Sequence, residues 1–233
     1  SSILVKDEDA NQEVLAFSSI ETSGIKTGAI INIGLISEDI SKSINELENK
    51  SGEKIKDIVV SFSGEQISSI GSTGSAIIRQ KEVTARDVQS ALNMSSTLKV
   101  PNDKTLLFVT PNEYNIDGQP GIAEPIGMNG VRLEARTHLI YCSQNMKENI
   151  SKCVEELNDL RIQKFYFNQL GAAQSVLTQD QRDLGVCLLD IGAGTTDLTI
   201  YKGGSIRFSK VFPYAGDSIT ETIATSLKIT SIQ

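Results

Sequence analysis

The feature that most constrains the fold of this chain is a glycine-rich turn between two extended segments, within Gly185 to Lys210. Val186 to Leu189 is a short apolar run that predicts a buried strand, and this strand ends at Asp190. Leu198 to Tyr201 alternates with a period of two and contains Thr and Ile, which predicts a second strand rather than a helix. The pattern therefore predicts a hairpin with a glycine-rich turn.

The composition of this turn suits an anion. Gly192 and Gly194 carry no side chain and are expected to allow positive φ, so that successive backbone N–H groups can converge on one point. Asp190 would repel a neighbouring phosphate unless a cation lay between them, which predicts Mg²⁺ bound to Asp190 through water. The residues predicted to bind phosphate in this turn are Asp190, Gly192, Ala193, Gly194, Thr195 and Thr196.

Two other interpretations of the turn were weighed. A strand that ends in Asp-x-Gly can form a simple tight turn closed by a hydrogen bond to the Asp side chain. The dinucleotide fingerprint Gly-x-Gly-x-x-Gly requires a following helix, whereas here its sixth position is Asp197 and a strand is predicted next. We therefore favour a phosphate-binding hairpin.

The same residues resemble a known group of proteins. The run Asp190 to Asp197 resembles the second phosphate motif of the superfamily that contains actin, heat-shock chaperones and sugar kinases. The longer run Leu184 to Asp197, continuing at Val211 to Asp217, is similar to the bacterial cell-division family FtsA. The resemblance implies an α/β fold: an actin-like (ribonuclease H-like) lobe with an inserted small α+β module and the start of a second lobe. It also implies ATP and Mg²⁺ as ligands.

Composition excludes several other functions. The net charge is −7, from 22 Lys and Arg against 29 Asp and Glu, and no basic cluster suggests a nucleic-acid surface. The three cysteines, Cys142, Cys153 and Cys187, lack metal-binding spacing, so we expect reduced core residues of a cytosolic protein. His138 is the only histidine, and we expect it to be structural rather than a zinc ligand. No apolar run is long enough to predict a membrane span.

The resemblance divides the chain into four parts. Residues 1–64 correspond to the first part of lobe 1, residues 65–140 to the inserted module (subdomain 1C of the family), residues 141–182 to the return to lobe 1 with a connecting helix, and residues 183–233 to the start of lobe 2. It further implies that the chain begins after a first phosphate loop of the form Asp-x-Gly-Thr and ends before most of the second lobe.

Local patterns predict several elements within these parts. Ser37 is predicted to cap a helix that ends at Gly52, and Thr84 with Asp87 forms a predicted capping box. Periodic apolar residues predict an amphipathic helix from Gln144 to Asn158, and Thr178 to Arg182 is expected to be a polar linker. The helix after Gly216 is predicted to place four residues inward: Ile219, Ile223, Ala224 and Leu227.

Two further site residues come from the resemblance. Gln169 matches the position at the start of the connecting helix that lies near the attacking water in the superfamily, and an amide can orient water without changing charge. The alternative is a helix-start Gln that bonds its own backbone. Gly216 is the other predicted cofactor-binding residue, and it is expected to let the backbone approach the N-terminus of the following helix closely.

The resemblance implies a cell-division scaffold. Such a protein binds ATP, polymerises on the inner face of the cytoplasmic membrane at the septum and hydrolyses ATP weakly at most. Its implied partners are other FtsA subunits, the C-terminal tail of FtsZ through a lobe-2 segment outside this chain, and membrane division proteins through the inserted module; nucleic acid is not expected. Nucleotide binding by this chain alone is expected to be weak or absent. The alternatives are a PilM-like pilus-assembly adaptor and a metabolic phosphotransferase of the same superfamily.

Overall fold

A computed structural model of the chain describes residues 1–8, 11–97, 100–156 and 158–230. The described chain forms two compact units. The first unit is discontinuous and contains Ser1–Ser61 and Asn145–Phe165, whereas the second contains Phe62–Gln144 and the chain from Tyr166 onwards.

The described elements are thirteen strands, six α-helices and one π-helical segment. In chain order they are β1 (Ser2–Glu8), β2 (Asn11–Ser18), β3 (Ile25–Lys26), β4 (Ala29–Ile30), α1 (Ile33–Ser51), β5 (Asp57–Phe62), β6 (Ser68–Ile77), α2 (Ala85–Thr97), β7 (Lys104–Ile116), β8 (Gln119–Ile122), β9 (Arg132–Ser143), α3 (Gln144–Ser151), a π-helical segment (Lys152–Glu156), β10 (Arg161–Phe167), α4 (Asn168–Val176), α5 (Gln179–Leu184), β11 (Val186–Ile191), β12 (Thr196–Lys202), β13 (Ser205–Phe212) and α6 (Gly216–Leu227).

In the first unit, β1 pairs with β2, β5 pairs with β10, and α1 packs against the π-helical segment. The predicted start of α1 at Ser37 was wrong, because the side chain of Asn32 already accepts the N–H of Leu35 and caps the helix earlier. The predicted end was confirmed: Gly52 adopts a left-handed conformation with φ 76°.

The helix predicted from Gln144 to Asn158 is regular only as far as Ser151 and then widens into the π-helical segment; residue 157 lies outside the described residues. Cys153 in this segment is fully buried, and its thiol donates to the carbonyl of Ile33. The side-chain amide of Asn158 donates to the Cys153 carbonyl. The predicted burial of Cys153 was therefore confirmed.

The second unit contains a module with a four-stranded antiparallel sheet in the order β6-β9-β7-β8, covered by α2. The predicted capping box of α2 was confirmed, because the Thr84 N–H donates to the Asp87 carboxylate over 2.9 Å while the Asp87 N–H donates back to Thr84 Oγ1 over 3.3 Å. The core of the module consists of Ile78, Val83, Ala91, Tyr114, Ile116, Ile122, Leu133 and Ala135.

Helix α2 and strand β6 touch through their backbones at Gly74. A Cβ atom at this position would lie 2.1 Å from the carbonyl oxygen of Ala91 and 2.3 Å from the amide nitrogen of Ser95. Two residues before Gly74 on the same strand, Ser72 Oγ donates to the Ser95 carbonyl over 2.7 Å. Only glycine permits this separation between helix and sheet.

The rest of the second unit is built on a three-stranded sheet in the order β11-β12-β13. Strand β13 was not predicted, and the polar linker predicted from Thr178 to Arg182 was wrong. This segment forms α5, because Thr178 and Gln181 make a reciprocal capping box. Gly203 and Gly204 connect β12 to β13 with φ values of 62° and 74°, and their N–H groups donate to the last carbonyls of α5.

A buried polar contact joins β9 to β13. His138 Nε2 lies 3.0 Å from Ser209 Oγ, and Ser69 Oγ donates to the Ser209 carbonyl. Burial lowers the pKa of His138 to about 4, so the imidazole is neutral at physiological pH. The side chain packs inside the unit, as a structural histidine would.

Two burial predictions were wrong in this part of the chain. Leu189 and Cys187 on β11 are exposed, because β11 forms the edge of the described sheet and has β12 on one side. On α6 only Ala224 is buried; the other predicted inward residues, Ile219, Ile223 and Leu227, are more than half exposed. No helix in the described ranges combines the length and the hydropathy needed to cross a bilayer.

Candidate phosphate-binding hairpin

The predicted hairpin was confirmed. Strands β11 and β12 pair antiparallel, with Asp190 opposite Asp197 and Ile191 opposite Thr196. The four residues 192–195 form the turn, which the N–H of Gly192 closes by donating to the Thr195 carbonyl over 3.0 Å. Asp190 therefore stands at the end of its strand, beside the turn.

The turn exposes backbone donors without left-handed glycines. Neither Gly192 nor Gly194 has a positive φ, so that part of the prediction was wrong; the closing hydrogen bond shapes the turn in ordinary backbone conformations. The N–H groups of Ala193, Gly194 and Thr195 donate to no residue in the described ranges. Three neighbouring donors are thus available at the tip of the hairpin.

The start of α6 packs against this turn. The N–H of Gly216 donates to the Gly192 carbonyl over 3.1 Å, and the N–H of Asp217 donates to the Ala193 carbonyl over 2.9 Å. A Cβ at position 216 would lie 3.3 Å from the Gly192 carbonyl oxygen. Gly216 therefore permits the helix to approach the turn, and its own N–H is used there. The Thr196 hydroxyl is also engaged, because it donates to the Tyr214 carbonyl.

Gln169 lies at the start of α4 and is fully buried. Its Nε2 donates to Asp190 Oδ2 over 3.1 Å, and its Oε1 accepts the Thr199 hydroxyl over 3.2 Å. Both ends of the amide are therefore held by side chains of β11 and β12. The structure joins Gln169 to Asp190 as members of one cluster.

Asp197 also belongs to this cluster and was not predicted as a site residue. Its carboxylate is 4% exposed and accepts a hydrogen bond from Ser63 Oγ. Burial raises the pKa of Asp197, the Ser63 hydrogen bond opposes this effect, and the neighbouring charge of Asp190 adds to it. The signal was the period-two pattern of β12, which places Asp197 on the same face as Thr199 and Tyr201.

The hairpin thus presents one accessible carboxylate beside three backbone donors, above a buried layer of polar side chains. The N–H groups suit an anion, and Asp190 suits a hard cation that takes its other ligands from water and phosphate oxygens. No group of three or more His, Cys, Asp or Glu residues that could hold a metal occurs in the described ranges.

Two family models match parts of the chain. The model described as "SHS2 domain inserted in FTSA" matches residues 64–141, which include the module with α2. The model described as "Cell division protein FtsA" matches residues 187–233, which include the hairpin.

Full-length relatives match nearly the whole chain. It is 39% identical to Cell division protein FtsA of Pseudomonas aeruginosa over 220 residues, covering 94% of this chain and 52% of that protein. It is 36% identical to Cell division protein FtsA of Escherichia coli (strain K12) over 216 residues, covering 93% of this chain and 51% of that protein. The chain therefore spans about half the length of these relatives.

Among solved structures, the chain resembles a chain of the "PilM-PilN type IV pilus biogenesis complex" with a TM-score of 0.68. The match covers 98% of this chain and 62% of that chain, at 13% sequence identity. At this identity the resemblance concerns the fold alone.

Proposed function

Because this chain belongs to the FtsA family of bacterial cell-division proteins, of which it spans about half the length, we propose that it serves as an ATP-binding scaffold of the division machinery. Its fold is the actin-like α/β fold with the inserted SHS2 module, as the resemblance implied. The observation that carries the nucleotide proposal is the hairpin, in which Asp190 stands beside three available N–H groups.

The residues of the hairpin fit a nucleotide phosphate. The N–H groups of Ala193, Gly194 and Thr195 would hold phosphate oxygens, and Asp190 would hold Mg²⁺ through water. Bound Mg²⁺ neutralises phosphate charge. Gly216 supports the turn from behind, and the Thr196 hydroxyl fastens it to Tyr214.

We propose for Gln169 a role that differs from the one that the resemblance implies. Its amide is fully buried and engaged by Asp190 and Thr199, so we propose that it orients the Asp190 carboxylate rather than a water molecule. Asp197 supports the same layer through Ser63. The hydrogen bond from Gln169 restrains the Asp190 carboxylate and so reduces the entropy lost when a cation binds.

The proposed cellular role follows the family. We place the protein at the inner face of the cytoplasmic membrane at the septum, where it self-associates, anchors the FtsZ tail and contacts membrane division proteins through the SHS2 module. The pilus-adaptor alternative has only a likeness of fold in its favour, at 13% identity against 36–39% for the FtsA relatives.

The test is Asp190→Ala in the protein as the cell makes it, with Asp7→Ala, an exposed position on β1, as the matched control. Losing a charge-assisted contact should weaken Mg²⁺-dependent ATP binding by at least about tenfold and remove its dependence on Mg²⁺. Isothermal calorimetry with and without Mg²⁺ measures both effects. Unchanged affinity in Asp190→Ala would remove Asp190 from the site, whereas equal losses in both variants would point to a general defect.

Midcell recruitment tests the scaffold role separately. A fluorescent fusion of the protein should gather at the septum of dividing cells and recruit FtsZ there. A fusion that binds ATP but stays dispersed would contradict the scaffold while leaving the hairpin assignment intact.

A further inference from the structure

The second unit contains a cavity of about 340 Å³ that no residue of the hairpin turn lines. It lies among β7, α4, α5 and the β12–β13 hairpin. Most of its wall is aromatic or aliphatic and comes from Phe108, Leu170, Tyr201 and Ile206. Its volume falls at the lower end of the range found for small-molecule sites.

Two polar atoms at this cavity are buried without a partner in the described ranges. They are the hydroxyl oxygen of Thr110 and the Nε of Arg182, and both residues line the cavity. A buried donor without an acceptor is unfavourable, and here two such atoms border the same space. A ligand bound in the cavity could therefore form a hydrogen bond with each of these two atoms.

The Arg182 side chain is held in place by the surrounding fold. Its Nη1 donates to the Gln174 side-chain oxygen over 2.9 Å, and its backbone carbonyl accepts the N–H of Gly204. A guanidinium group that uses one nitrogen in this way still presents its Nε edge, whose two parallel donors fit a planar carboxylate. None of the residues that line the cavity in the described ranges is acidic.

We propose that this cavity binds a ligand that carries a carboxylate on a small apolar body. The carboxylate pairs with Arg182 and Thr110, and the apolar body packs against Phe108, Leu170 and Ile206. A free aromatic acid and the C-terminal carboxylate of a peptide that ends in an apolar residue share this chemistry. The site is separate from the proposed nucleotide site, although α4 contributes residues to both.

The test uses the protein as the cell makes it, without nucleotide, and follows phenylacetate binding by ligand-observed NMR. Phenylacetate should bind saturably, and phenylacetamide should bind at least about tenfold more weakly because it lacks the charge. Arg182→Gln should weaken phenylacetate binding by a similar factor. The matched control is Arg86→Gln, an exposed position on α2, which should leave binding unchanged.

A second variant separates ligand binding from folding. Thr110→Val keeps the side-chain shape, removes the hydroxyl, and should weaken phenylacetate binding severalfold while circular dichroism shows an unchanged fold. Binding of N-acetyl-Gly-Phe, which has a free carboxyl terminus, distinguishes the two kinds of ligand. Tighter binding than that of phenylacetate identifies the C-terminus of a peptide as the ligand, and weaker binding identifies a free acid.

Three outcomes of the phenylacetate measurements would overturn the proposal. They are no saturation up to about 10 mM, equal affinity for the acid and the amide, and full binding in both Arg182→Gln and Thr110→Val. Inorganic phosphate that competes as strongly as phenylacetate would also overturn it, because the apolar body would then contribute nothing. Since no nucleotide is present, these results leave the hairpin assignment untouched.

Discussion

The SHS2 module and the hairpin region, meaning β11 and β12 with the adjoining Gln169, place their apolar side chains differently. In the module, Leu133, Leu139 and Ile140 have no exposed surface. On β11 of the hairpin region, Leu189 is 54% exposed and Ile191 is 66% exposed, while the polar side chain of Gln169 is fully buried. Apolar burial therefore contributes more to the module than to β11, where hydrogen bonds between buried polar groups contribute more.

The largest expected contrast comes from truncating one leucine in each region. Leu133→Ala should lower the free energy of unfolding by about 2 to 5 kcal/mol, because it leaves a cavity in a closed core. Leu189→Ala should change it by no more than about 0.5 kcal/mol, since more than half of that side chain already faces solvent. Urea denaturation followed by circular dichroism measures both, and equal losses would contradict the comparison.

A smaller effect is expected where the module's helix and sheet touch. Gly74→Ala should lower the free energy of unfolding by about 1 to 3 kcal/mol, because the new methyl group would meet the α2 backbone. Gly71→Ala on the same strand is the control: no atom lies within 4 Å of its Cβ position, and a change within about 0.5 kcal/mol is expected. If both variants unfold alike in urea, close backbone packing is not what holds α2.

The smallest effect concerns the polar interior of the hairpin region and depends on pH. The pKa of Asp197 is raised in the folded state, so its contribution is most favourable below its unfolded value of 3.8 and is lost as pH rises through the folded pKa. The Asn side chain of Asp197→Asn does not ionise, so this loss of stability with rising pH disappears. Its amide oxygen can still accept the hydrogen bond from the Ser63 hydroxyl. The variant should therefore gain stability relative to the parent as pH rises from 4 to 7.

Thermal unfolding monitored by circular dichroism across that range checks the sign. A difference between Asp197→Asn and the parent that grows towards low pH would mean that the carboxylate is stabilised by its surroundings, against the burial described above.

How much the sequence could predict differs between the two regions for physical reasons. Local signals were sufficient for the hairpin and for the capping box of α2, because turn chemistry and period-two patterns act between near neighbours. The same kind of signal was present at Thr178 and Gln181 and would have predicted α5 instead of a linker. The pattern after Gly204 would likewise have predicted β13.

Burial and side-chain roles could not be predicted in this way. The apolar character of Leu189 and Ile219 predicted buried positions, but their exposure depends on which elements pack beside them, and that is not a local property. The amide of Gln169 has two ends, and only the placement of Asp190 and Thr199 determines which groups they meet. The roles of the site residues themselves stay predictions.

The discontinuity of the first unit affects the order in which the chain can fold during synthesis. Helix α1 leaves the ribosome with the first segment, but the π-helical segment that packs on it emerges only after the whole module has been made. At ordinary translation speeds this delay is on the order of ten seconds. During that interval β1 and β2 can already pack on α1, but the part of the helix that contacts the π-helical segment stays exposed, so nascent chains should be most prone to chaperone capture before residue 165 emerges.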